Sequence, residues 1–151
     1  MIKSVHLIVS TEKNITLNRA LHQTALTVCE SSGLHVQITD IYELYRNKHP
    51  AVLPYGIEIS DQDHQDIQLE QEKMKTADLV IIQFPLYWFS IPGLLKNYFD
   101  RIWEKDFAYL ENFEPRPFFQ GKQLLFSFTT DFLESHFEKG SQFGSLEKIQ
   151  F

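Results

Sequence analysis

Three clusters of residues in this chain have the types and spacing to handle a ligand. The first is Ser10-Thr11-Glu12-Lys13-Asn14-Ile15-Thr16-Leu17-Asn18, a polar run ahead of a helical pattern. Hydroxyls and backbone N–H groups at a helix N-terminus hold an anion such as a phosphate without any lysine. A plain helix cap at Thr16 accounts for the same residues equally well. The second is Phe84-Pro85-Leu86-Tyr87-Trp88-Phe89, too apolar for an ordinary surface loop. Its backbone groups could bond the polar edge of a flat ring, with Trp88 and Phe89 flanking that ring. An aromatic core or dimer-contact cluster is the alternative, since aromatics dominate both settings. The third is Thr129-Thr130, two hydroxyls after an apolar run.

Other chemistries lack their residues. There is no GxGxxG and no GxxxxGK[ST], so the dinucleotide fingerprint and the phosphate-binding P-loop do not apply. His6, His22, His35, His49 and His64 show no i,i+4 pairing and no cysteine partners, so no metal site is expected. Cys29 sits beside Val28 on a helical pattern and reads as core. Asp61, Asp63 and Asp66 read as the first turns of a helix, where they complement its dipole.

The elements that must position these clusters follow from hydrophobic periodicity. Val5 to Ser10 is short and β-branched, as in a strand buried on both faces. Thr16 caps a helix whose apolar positions Leu17, Leu21, Thr24 and Val28 fall at helical spacing, and Gly33 ends it. Leu34 to Thr39 alternates, as in a strand near a sheet edge. His49 to Ile59 carries Pro50, Pro54 and Gly56 and reads as an irregular connection. Ser60 or Asp61 caps a helix through Ile67, Met74 and Thr76. Leu79 to Phe84 is a third, central strand. Ser90 caps the next helix, with Pro92 in its first turn and Ile91, Leu94, Leu95, Tyr98 and Ile102 as its buried stripe. Leu124 to Thr129 is a fourth strand. The order βαβαβαβ predicts a parallel sheet with helices on both faces. Ligands in such sheets bind outside the carboxyl ends of the strands, here Ser10-Thr11, Phe84-Pro85 and Thr129-Thr130. A flat ring at that place, in a fold of this order, suggests an isoalloxazine.

Composition narrows the class. With 151 residues, the chain reads as one domain, and 43% hydrophobic content supports a real core. Aromatic residues make up 14%, which favours planar ligands or a large apolar interface. A net charge of −6 argues against nucleic acid, whose phosphates need a basic face. A single cysteine suits a reducing compartment, so a cytoplasmic location is expected. No apolar run approaches the ~20 residues of a membrane span, so no membrane insertion is expected. Met1-Ile2-Lys3 leads into a strand and not a signal peptide.

Phe84-Pro85-Leu86-Tyr87-Trp88-Phe89-Ser90-Ile91-Pro92-Gly93-Leu94-Leu95-Lys96, with Asp100-Arg101 and Phe107-Ala108-Tyr109, resembles the NAD(P)H:quinone oxidoreductase family. That family comprises flavodoxin-like flavoproteins: DT-diaphorase, the modulators of drug activity and the ancillary oxidoreductases of potassium efflux systems. The similarity continues at Asp40-Ile41-Tyr42-Glu43-Leu44-Tyr45 and from Gly121-Lys122 to Thr130, and Glu134-Ser135-His136-Phe137-Glu138-Lys139-Gly140 resembles the efflux branch. It covers essentially the whole chain. The resemblance implies an α/β flavodoxin-like three-layer sandwich with a parallel sheet, spanning 1–151. Only four strands are visible, so the chain is expected to lack the last strand and helix. It also implies bound FMN or FAD, NAD(P)H as co-substrate, and hydride transfer through the flavin to a quinone or similar acceptor. By position, Thr16, Leu17 and Asn18 match the family's phosphate-side loop. Pro85, Leu86, Tyr87, Trp88 and Phe89 match its ring-binding loop, and Thr129 and Thr130 begin its third flavin loop.

The chain also departs from the family pattern. The third loop usually reads Thr-Thr-Gly-Gly, where glycines let backbone approach the ring edge; here it reads Thr129-Thr130-Asp131-Phe132. Thr11 stands where the family carries a histidine. Phe137 and Gln142 fall near the positions of its catalytic Tyr–His pair, so the catalytic residue is not assigned; the adjacent His136 is a candidate proton relay or a plain surface residue. A non-catalytic regulatory subunit, for example of a potassium efflux system, is the alternative function. The resemblance implies a homodimer, and the aromatic surplus at Tyr98, Phe99, Trp103, Phe107, Tyr109, Phe113, Phe118 and Phe119 points to the stretch from Leu94 to Phe119 as its contact.

Overall fold

The structure is a computed structural model that describes residues 1–12, 16–46, 60–112 and 114–138. The irregular connection expected over His49 to Ile59, together with Phe113 and Gln142, lies outside those residues. The chain order is β1 Ser4–Val9, α1 Leu17–Ser31, β2 His35–Asp40, α2 Ile41–Leu44, α3 Asp61–Thr76, β3 Leu79–Pro85, α4 Gly93–Ile102 and β4 Gln123–Thr129. Single 3₁₀ turns lie at Pro117–Phe119, between α4 and β4, and at Glu134–Phe137, after β4. The four strands form one parallel sheet in the order β2-β1-β3-β4. Strand order therefore reverses between β1 and β3, and the carboxyl ends of those two strands flank the crevice.

Strand alternation divides the core in two. Ile8, Val80, Ile82 and Phe84 face α3 and α4, where they pack with Met74, Leu95, Tyr98, Phe99 and Ile102. Val5, Leu7 and Ile81 face α1, where they meet Cys29. Phe84 packs edge-on against Phe126 at 6.1 Å and stacks with Phe128 at 5.9 Å, which locks β3 to β4 near their carboxyl ends. Helix α4 is held to α3 by Arg101–Asp63 at 3.2 Å and by the Gln71 amide, which donates to the Ile102 carbonyl at 3.0 Å. Tyr98 and Phe99, counted above among the dimer aromatics, are enclosed in this core.

Two sequence expectations change. The inner face of α1 is not Leu17, Leu21, Thr24 and Val28. Leu17 is 66% and Val28 57% exposed, while Asn18, His22 and Cys29 are buried. The helix is turned by about one residue because Asn18 and His22 bury polar side chains against the sheet, which an apolar stripe does not anticipate. Nor does Ser90 cap α4. The N-cap is Pro92, and Ser90 is engaged in a hairpin described below. Thr16 does cap α1, accepting from the Arg19 N–H, and Gly33 follows that helix at φ 73°, a conformation that favours glycine.

Candidate functional site

The carboxyl ends of β1, β3 and β4 bring the three clusters together. β1 runs out into Ser10 and Thr11, both buried. The Ser10 N–H donates to the Gln83 carbonyl at 2.9 Å, which carries the β1–β3 ladder one residue past the strand. Arg19 then ties the loop down. Its guanidinium donates to the Thr11 carbonyl at 2.9 Å and the Glu12 carbonyl at 3.1 Å, and pairs with Asp40 at 2.8 Å. Asp40 in turn caps α2 through the N–H groups of Tyr42 and Glu43. The first loop is thus clamped between two helix starts. The first N–H groups of α1 have no carbonyl one turn earlier to bond, as at any helix start.

Asn18 does something the sequence did not reveal. Its amide carbonyl accepts from Gln83 Nε2 at 2.6 Å, and its amide nitrogen donates to Thr129 Oγ1 at 2.7 Å. One side chain therefore fastens the first turn of α1 to the ends of both β3 and β4. Gln83 was the available signal: a lone amide in the apolar strand Leu79-Val80-Ile81-Ile82-Gln83-Phe84 needs a buried partner.

The second loop leaves β3 at Pro85. The Leu86 N–H donates to the Thr129 carbonyl at 2.8 Å, and Leu86 is buried. Tyr87 to Ser90 is then a two-residue hairpin, closed by Tyr87 N–H to Ser90 carbonyl at 3.0 Å and Ser90 N–H to Tyr87 carbonyl at 2.9 Å. Its two central residues, Trp88 and Phe89, have φ of 50° and 61°. Such a turn takes Asn-Gly most readily, because both centres lie in the left-handed region. Large L-residues there carry a cost of order 1–2 kcal/mol each. The turn leaves Trp88 93% exposed and Tyr87 51% exposed at the rim.

The third loop follows β4. Thr130 Oγ1 accepts from the Phe132 N–H at 3.3 Å, and Phe132 lays its ring on Phe89, centroids 5.5 Å apart and planes 2° from parallel. His136 and Phe137 meet the same ring edge-on, each at 6.2 Å. The Leu133 N–H donates to His136 Nδ1 at 3.2 Å, so His136 carries its proton on Nε2 and holds the loop in shape. Tyr42, near Tyr87 and Glu12, also borders the site. Burial, then those two neighbours, raises its phenol above the ordinary range.

These residues fit a flavin. The Ser10 hydroxyl is buried with no hydrogen-bond partner among the described residues, at the end of β1 beside the α1 start, where a phosphate group would be held. The hairpin supplies aromatic faces and the third loop hydroxyls. Of the residues named from sequence, Thr16, Leu17, Pro85 to Phe89, Thr129 and Thr130 all border this one rim. Asn18 reaches it by its backbone, since its amide is spent on Gln83 and Thr129. Among the described residues no group of three or more His, Cys, Asp or Glu side chains converges as a metal site would need.

A parallel sheet in the order β2-β1-β3-β4, with its ligand loops at the β1/β3 reversal, defines a flavodoxin-type α/β protein. The chain belongs to the family of the flavodoxin-like fold, whose model matches residues 3–150. It is 35% identical over 146 residues to a ribosyldihydronicotinamide dehydrogenase (quinone) of Rattus norvegicus, a match that covers 85% of this chain and 63% of that one. The chain thus spans under two thirds of the length of that relative. A solved protein assigned as a quinone reductase, from Klebsiella pneumoniae, superposes with a TM-score of 0.76 at 26% identity, over 97% of this chain and 66% of the other. General stress protein 14 of Treponema denticola, solved in complex with FMN, shares the fold with a TM-score of 0.68 at 17% identity, over 97% of this chain and 73% of the other. The kinship to quinone oxidoreductases expected from the central motif is therefore found, and so is the flavodoxin-like sheet. No helix among the described residues is long and apolar enough to cross a membrane.

Proposed function

We propose that this chain is a flavin-dependent oxidoreductase that transfers a hydride from a dihydronicotinamide to a quinone or similar acceptor, in the balance NAD(P)H + H⁺ + quinone → NAD(P)⁺ + hydroquinone. The observation that carries the reading is the strained Trp88-Phe89 hairpin, together with a buried Ser10 hydroxyl that has no hydrogen-bond partner among the described residues. Backbone strain at a ligand loop persists where the surroundings over-determine it. The relatives' names support the same reaction class. When bound, a flavin supplies the two-electron carrier.

The chain's own residues do the rest. Ser10, Thr16 and the first N–H groups of α1, including those of Leu17 and Asn18, hold the phosphate end. Pro85 to Phe89 present backbone groups and aromatic faces to the ring, and Leu86 anchors that loop in the core. Thr129 and Thr130 close the opposite edge. Asn18 and Gln83 keep the three loops at fixed separation. His136 is held as a positioning residue for the third loop, with Nε2 its proton-bearing atom. The acceptor is a planar quinone-like molecule, the assembly a homodimer, and the location the cytoplasm, where the buried Cys29 stays reduced.

The test is colour. The purified protein is expected to bind FMN or FAD, to absorb in the visible flavin bands, and to bleach anaerobically on adding NADH, NADPH or reduced nicotinamide riboside. Quinone addition then restores the colour. A colourless protein that takes up neither flavin at micromolar concentration is a non-catalytic subunit, and the reading fails.

A further inference from the structure

The third loop departs from the glycines of the resembling family at Asp131 and Phe132, and the two side chains behave differently. Asp131 is exposed to solvent. Phe132 is built into an aromatic assembly. Its ring lies parallel on Phe89 at 5.5 Å, and His136 and Phe137 support it edge-on. Phe137 is buried, and His136 is fixed by the Leu133 N–H, so the support is anchored in the fold. Phe89, in turn, is held on the hairpin at positive φ. The stack therefore joins the second loop to the third, across the mouth of the site.

Resting on the flavin reading above, we propose that Phe132 is a specificity-determining residue that limits the size of the planar acceptor. Parallel rings with centroids 5.5 Å apart are in offset contact and leave no layer between them. A ligand sandwiched there would need roughly 7 Å, two aromatic layers of about 3.5 Å. A planar acceptor wide enough to need the Phe89 face must displace Phe132. It gains one stack on Phe89 but breaks that stack and the two edge contacts of Phe132. On this proposal a narrow, single-ring acceptor uses the exposed rings of Tyr87 and Trp88 and leaves Phe132 in place. A fused two-ring acceptor extends onto the Phe89 face and displaces Phe132. Selectivity for narrow quinones follows from the displaced contacts.

Binding separates this from obstruction of the flavin itself. Wild type, Phe132→Ala, Phe132→Leu and Asp131→Ala are loaded with oxidised FMN or FAD. The dissociation constants of tetramethyl-benzoquinone and 2,3-dimethyl-naphthoquinone are then measured by calorimetry. With flavin and quinone both oxidised no electron moves, so the readout is affinity alone. Phe132→Ala is expected to bind the naphthoquinone about tenfold more tightly, the scale of one lost aromatic stack, and the benzoquinone within about twofold of wild type. Phe132→Leu, which keeps apolar bulk without the ring, falls between. Asp131→Ala behaves as wild type, and flavin affinity is unchanged throughout. Equal gains for both quinones, or no gain, overturn the proposal. So does a tenfold gain in flavin affinity in Phe132→Ala, which would place Phe132 in the cofactor's own space. Failure of every protein to take up flavin instead overturns the functional reading, and the proposal with it.

Discussion

His6 shows how one buried residue links sequence to pH. It lies fully buried on β1. Thr39 Oγ1 donates its single proton to Glu70 Oε2 at 2.5 Å, so it must accept at His6 Nε2, 2.9 Å away. His6 therefore carries its proton on Nε2. A second proton would go to Nδ1, which has no partner among the described residues. Burial, with Lys73 in support and Glu70 opposing, pulls the imidazole from 6.5 down to about 4. Between those values the unfolded chain binds a proton that the folded chain refuses, so stability falls as pH drops through that window. The full cost is on the order of 3 kcal/mol below the folded pKa. Urea midpoints at pH 7 and pH 4.5 are expected to fall more for wild type than for His6→Gln, whose amide still donates to Thr39. Equal acid sensitivity would exonerate His6. At the same scale, Asn18→Ala leaves Gln83 and Thr129 without their partner and is expected to cost about 1–3 kcal/mol of stability. It should also weaken flavin binding, because the first loop loses its tie to the other two. Parallel urea and flavin titrations check both effects.

The Tyr87–Ser90 hairpin trades stability for recognition. Trp88 is nearly fully exposed and sits at φ 50°, so the folded chain gains little from its ring and bears its strain. Asparagine tolerates that conformation better. Trp88→Asn is expected to raise unfolding free energy by about 0.5–1 kcal/mol, and to weaken flavin binding by more than about 1 kcal/mol through the lost aromatic face. Urea unfolding of the apo-protein and titration with FMN and FAD read the two effects separately. A variant with unchanged flavin affinity would remove this hairpin from the site.

At the scale of the molecule, β4 ends the described sheet with Leu124 and Leu125 more than half exposed. An open apolar edge invites pairing with another strand. Beside it, a cavity of about 380 Å³ lies on the α4 face between Val80, Ile82, Trp103, Phe119 and Leu124, at the amino ends of the strands and away from the ligand loops. Trp103 is 44% exposed next to it. A homodimer through residues 94–119 would cover Trp103, and burying several such side chains at roughly 25 cal/mol per Å² would stabilise it substantially. Sedimentation at micromolar concentration is expected to give twice the 17.8 kDa chain mass, and Trp103→Glu to shift it toward monomer. A wild-type monomer would sink the interface and any pocket shared between subunits.

Much of this protein is local in origin. The β-branched runs at Val5 to Val9 and Leu79 to Phe84 specify strands wherever they fold, because period and branching act over a few residues. The cap at Thr16 and the turn at Gly33 act over one helical turn, and the βαβ order fixes parallel pairing and places the ligand loops. The three candidate clusters are placed together for that reason: each begins where a strand of the parallel sheet ends. What stayed hidden depends on residues far apart in the chain. Asn18 meets Gln83 and Thr129 across 65 and 111 positions, and that bond, not the apolar stripe of α1, sets which face of the helix turns inward. Ser90 reads as a helix cap until the left-handed turn at Trp88-Phe89 draws it back to Tyr87. Phe132 reads as an odd replacement of glycine until the sheet brings it onto Phe89. Periodicity records the burial of a segment's own side chains; only the closed sheet decides which distant side chain each of them meets.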